Sequence, residues 1–104
     1  MKEHTPQGSV PPVTIQIQIE LDAETAQGMY VNMAMVNHSE GEFTMDFIYV
    51  QPQQPKAKVR ARVITNPKHM KRLLMAAQDA VAQFEKKFGA IDVTGPAMQG
   101  QILN

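Results

Sequence analysis

The chain has 104 residues, ten acidic and ten basic side chains, and no cysteine. Zero Cys excludes a disulfide scaffold, a thiol nucleophile and a cysteine-ligated zinc site, and zero net charge argues against a general nucleic-acid coat. A hydrophobic content of 43% suits one globular domain, and no apolar run approaches the roughly 20 residues of a membrane span. The first eight residues lack the apolar stretch of a signal peptide, so the expected location is the cytoplasm.

Residues 1–12 contain Pro6, Gly8, Pro11 and Pro12 without hydropathy periodicity, which predicts a flexible or extended arm. Strict alternation then begins. Ile15, Ile17, Ile19 and Leu21 share one face and Gln16, Gln18 and Glu20 the other, the pattern of a half-buried strand. Asp22 is placed to cap one helical turn that Gly28 ends. A second strand is predicted from Met29 to Asn37, a turn at His38–Gly41, and a third strand from Glu42 to Val50. Pro52 and Pro55 make 51–55 a loop. Ala57, Val59, Ala61 and Val63 then alternate with Lys58, Arg60 and Arg62, giving a fourth strand apolar on one face.

A long helix follows. Asn66 suits the N-cap and Pro67 the first helical position, where its missing N–H costs nothing. Met70, Leu73, Leu74, Ala77, Val81, Phe84 and Phe88 recur at three- and four-residue spacing as one apolar stripe. Lys86 and Lys87 complement the negative end of the helix dipole, and Gly89 fits the C-terminal cap. The predicted fold is therefore α+β, a four-stranded antiparallel sheet with one long C-terminal helix packed on one face. The domain spans 13–89, and residues 90–104, with Gly95, Pro96 and Gly100, form an irregular tail.

With a turn at His38–Gly41, Asn37 faces Glu42 and the two middle strands are apolar on both faces. One face holds Tyr30, Asn32, Ala34 and Val36 with Phe43, Met45, Phe47 and Tyr49. The other holds Met29, Val31, Met33 and Met35 with Thr44, Asp46, Ile48 and Val50. Two apolar faces need two covers, and the sequence supplies one helix. Either the tails or a second copy must cover the rest, and a homo-oligomer is the reading adopted. Met29, Val31, Met33, Met35, Ile48 and Val50 form the candidate interface. At about 1.5–3 kcal/mol per buried side chain they offer on the order of 10 kcal/mol, against roughly 4–15 kcal/mol for association.

Charge is divided along the chain. Residues 1–55 hold one cation and seven acids, and residues 56–104 hold nine cations and three acids. Lys58, Arg60 and Arg62, with Lys68, Lys71 and Arg72, form a candidate electrostatic contact for an anionic partner such as the acidic half of another copy. The bland alternative is the solvent side of an edge strand, where cations deter aggregation. Nucleic acid is disfavoured, because no aromatic residue lies among these cations. Asp46, mid-strand among Met, Val and Ile, could be a general base or metal ligand. The reading adopted is structural, a hydrogen-bonded register pin or an acid at the edge of an interface. His4, His38 and His69 show no metal-ligand spacing, and no nucleophile–base arrangement or Gly-rich phosphate loop occurs, so neither metal, cofactor nor enzymatic activity is expected.

The stretch Ile19-Glu20-Leu21-Asp22, Ala26-x-Gly28-x-Tyr30-x-Asn32 and Glu42-Phe43-x-x-Asp46-Phe47 resembles a family of small bacterial and archaeal proteins known only as a domain of unknown function. Pro55-Lys56-Ala57-Lys58-Val59 and Thr65-x-Pro67-x-His69-x-Lys71-Arg72-Leu73-Leu74 complete the resemblance over 15–89. It implies no activity. At the level of architecture alone, four antiparallel strands and a long helix are also similar to the export chaperone SecB. That analogy suggests a protein holding apolar peptide segments, for which a Met-rich face is suited. The expected function is a non-enzymatic, self-associating binding or scaffold module, with the SecB-like chaperone and the binder of an anionic partner as alternatives.

Overall fold

A computed structural model describes residues 12–103 and gives the order α1 (Ala23–Ala26), β1 (Met33–His38), β2 (Phe43–Val50), β3 (Ala57–Thr65) and α2 (Pro67–Phe88). The strands form one antiparallel sheet in the order β1-β2-β3. The class is α+β, as the pattern predicts. The sheet has three strands, and the first of the four expected strands is missing from it: residues 14–21 join no ladder, and Ile15, Ile17, Ile19 and Leu21 stand exposed. The arm expected over residues 1–12 lies, up to residue 11, outside the described residues.

Local chemistry explains the helix ends. Asp22 has extended backbone angles and its side chain accepts from Thr25 N at 3.3 Å, which starts α1. Gly28, at φ +78°, ends that turn with its N–H on the Thr25 carbonyl. At α2, the Asn66 side chain accepts from His69 N at 2.8 Å with Pro67 at the first position. Gly89, at φ +101°, donates to the Glu85 carbonyl and closes the helix behind Lys86 and Lys87.

The β1–β2 hairpin turns more tightly than predicted. Ser39 N donates to the Glu42 carbonyl at 2.9 Å, so the loop is Glu40-Gly41 and Asn37 faces Thr44 rather than Glu42. Every pairing thus slips by two residues. Because the side-chain period is also two, the residues keep their faces and only the partners change. Met33 pairs with Ile48 and Met35 with Asp46 on the Met-rich face, while Ala34 pairs with Phe47 and Val36 with Met45 on the aromatic face.

The β2–β3 ladder contains an irregularity. Phe47 faces Ala61 and Ile48 faces Val59, so Arg60 falls between two pairs as a bulge. Above it Arg62 opposes Asp46 on the Met-rich face; below it Lys58 opposes Tyr49 on the aromatic face. The expected row of Lys58, Arg60 and Arg62 is therefore broken, because one extra residue reverses the facing of the strand beyond it.

The helix also departs from expectation. None of its residues is buried, and Leu74 and Phe84 are each about half exposed, at 47% and 49%. It is not packed on a face of its own sheet. Asn66 is the only residue between β3 and α2, whereas turning a helix back over a sheet usually takes a loop of 2–6 residues. Only Met45 and Ile48 form a buried apolar core among the described residues. The radius of gyration is 18.7 Å, against roughly 13 Å for a compact chain of this length.

Candidate functional site

Asp46 is the best-defined polar site. It is fully buried, yet directly opposite Arg62, whose Nε donates to Oδ1 at 2.6 Å and whose second guanidinium nitrogen donates to Oδ2 at 3.1 Å. The bidentate contact occupies both oxygens. These hydrogen bonds, aided by the guanidinium charge, hold the Asp46 carboxyl below its ordinary range, although desolvation pushes it up. Asp46 in turn raises the Arg62 guanidinium. Arg62 is half exposed along its side chain while Asp46 is covered, so the pair sits at the sheet surface with the carboxylate as its shielded end. An acid ionised and bonded in this way is poorly set to take up a proton. It pins the β2–β3 register.

The six residues of the expected interface divide. Met33, Met35, Ile48 and Val50 line one cleft of about 1500 Å³, whereas Met29 and Val31 lie outside it. The opposing wall is the chain's own tail, residues 97–103, with Ile102 half-buried. The tail therefore covers part of the face for which a second copy was expected. The basic residues do not gather as predicted. Arg62 is engaged by Asp46, Arg60 reaches the Tyr30 carbonyl at 3.4 Å, and Lys58 lies on the opposite face from Arg62. Lys68, Lys71 and Arg72 stand exposed in the first turns of α2.

Two apolar surfaces that the hydropathy pattern places in the interior of one chain stand exposed. One is the α2 stripe, where Leu73, Leu74, Val81, Phe84 and Phe88 are exposed and the Phe84 and Phe88 rings touch at 5.0 Å between centroids. The other is residues 13–21, where Val13, Ile15, Ile17, Ile19 and Leu21 are at least 67% exposed. Isolated surface hydrophobics are ordinary, but contiguous stripes of this length mark interaction sites.

Several positions that carry the family resemblance have structural tasks. Gly28 ends α1, Tyr30 meets Tyr49 edge-on at 6.2 Å, and the Asn32 side chain bonds both the N–H and the carbonyl of Val50. Asp46 holds Arg62. The family described as a protein of unknown function, DUF3467, matches residues 1–93. The chain belongs to the DUF3467 family. That match takes in the whole stretch of motifs from 15 to 89. No curated protein and no solved structure matches this DUF3467 chain. The SecB analogy presupposed four strands ahead of the helix, and the sheet has three. No helix among the described residues is long and apolar enough to cross a membrane.

Proposed function

We propose that this DUF3467 protein is a non-enzymatic, cytoplasmic binding or scaffold module whose working form is a homo-oligomer. The observation that carries the proposal is the exposed apolar stripe of α2. A 22-residue helix with no buried residue draws little stability from propensity alone and normally depends on packing of its apolar face. Surface area points the same way. The chain exposes 9898 Å², against roughly 5,800 Å² for a compact protein of this mass. The excess exceeds the roughly 1,000–2,500 Å² that one chain contributes to an obligate interface. A non-enzymatic role is supported by Asp46, the one fully buried acid among the described residues, which is saturated by Arg62. The cytoplasm suits a chain without cysteine.

Light scattering on size-exclusion-separated protein at micromolar concentration is expected to give twice the 11.6 kDa chain mass or a higher multiple. A monomer across that range removes the proposal.

The cleft under residues 97–103 favours a second reading, capture of apolar peptide segments on the Met-rich face. The chain's own tail faces Met33 and Met35 across this cleft, which leaves room for a guest segment between them, and methionine adapts to varied partners. Deleting 97–104 is then expected to increase suppression of an aggregating client protein several-fold, and Met33→Glu to abolish it. Equal suppression by all three proteins would count against peptide capture.

A further inference from the structure

We infer that residues 14–21 of one copy add as a strand to the free edge of β1 in a second copy, and reciprocally; this rests on the self-association proposed above. The segment has the two-residue alternation of a half-buried strand, yet it joins no ladder in its own chain, and Ile17 is 72% exposed. Its pattern describes an environment that one chain does not provide.

The sheet has two edges, and they differ in chemistry. The β3 edge carries Lys58, Arg60 and Arg62, and Arg60 is a bulge. Charges and bulges are the devices by which sheet edges resist pairing. The β1 edge, Met33-Ala34-Met35-Val36-Asn37-His38, has no lysine, arginine, acid, proline or bulge, and pairs with β2 alone. It is open to an added strand. On one face its partners in β2 are Phe43, Met45 and Phe47, so the isoleucine side of an incoming segment extends an apolar surface there; on the other, Ile48 lies beside Asp46 and Thr44.

The route of the chain favours a second copy as the donor. Just before β1, Tyr30 rests against Tyr49 of β2 and its carbonyl accepts from Arg60 of β3. The chain thus enters β1 from across the sheet rather than along the free edge. Reciprocal exchange of the same segment between two copies closes with two-fold symmetry and leaves no unpaired donor.

The absence of cysteine makes the test clean. Single cysteines from Thr14 to Leu21 are introduced one at a time. Each variant is mixed, under mild oxidation, with Ala34→Cys or with Met35→Cys carrying a mass tag. Disulfide heterodimers are expected at alternate positions with Ala34→Cys and at the intervening positions with Met35→Cys, since only strand pairing gives a period of two. In parallel, hydrogen exchange on the wild-type chain is expected to show protection across 14–21 that disappears on dilution. The same cysteine pairs are also placed within one chain, and a disulfide that forms only there, at monomer mass, overturns the inference in favour of the chain's own edge. A wild-type oligomer with neither crosslinks nor protection at 14–21 overturns the strand exchange alone. A wild-type monomer overturns the self-association on which it rests.

Discussion

Leu74→Glu with Phe84→Glu is expected to leave the chain monomeric at concentrations where the wild type is assembled. Both residues lie on the apolar stripe of α2 and are about half exposed in the single chain. Apolar anchors at the centre of an interface cost about 2 kcal/mol or more each when lost. Two of them weaken association on the order of a thousandfold, at 1.4 kcal/mol per decade. The buried charges add to that loss. Met75→Glu is the control, because Met75 is 58% exposed on the side of α2 away from the stripe. Analytical ultracentrifugation over a dilution series distinguishes the outcomes. Equal dissociation in all three proteins shows that the helix face is not the contact.

Arg62→Met is expected to destabilise the fold more than the same change at Lys58 or Arg60. It strands the fully buried Asp46 carboxylate without its two hydrogen bonds, and an uncompensated buried charge is among the costliest single defects. A fall in Tm of at least about 5 °C is expected for Arg62→Met, with much smaller falls for Lys58→Met and Arg60→Met. Adding Asp46→Leu should recover part of the loss, because two well-packed apolar residues can replace a buried pair. The pH dependence has a definite sign. The folded-state pKa of Asp46 is depressed, so its contribution is present above the unfolded value of about 3.9 and is lost as pH falls through the folded value. A thermal melting series below about pH 4 should therefore show a wild-type decline that Asp46→Asn lacks in part. Parallel curves for the two proteins would contradict the assignment.

What could be read from the sequence followed the range of each interaction. Asp22, Gly28, Asn66, Pro67 and Gly89 act within a few residues, and all five perform the capping tasks their types suggest. The hairpin faces were legible because alternation fixes them. The pairing partners were not, since a two-residue loop at Glu40-Gly41 and a four-residue one place the same residues on the same faces. The bulge at Arg60 was hidden because Val59, Ala61 and Val63 alternate straight through it. The pattern around Asp46 leaves open a register pin or an acid at an interface edge, and geometry supplies the partner that a single strand's pattern cannot name. The misplacement of residues 14–21 and of α2 has another cause. Apolar periodicity records that a face is buried, but it does not say by which chain.

The small core has a consequence for abundance. Met45 and Ile48 are the only buried apolar side chains among the described residues, too few to hold 104 residues against their conformational entropy. On the proposed self-association, folding and assembly become one event, and the folded fraction is set by how many chains the cell makes. Newly made chains would remain open to proteases until they met a partner, so output would rise more steeply than synthesis at low expression. A protein built in this way would respond to its own dosage as a threshold, with no separate regulator.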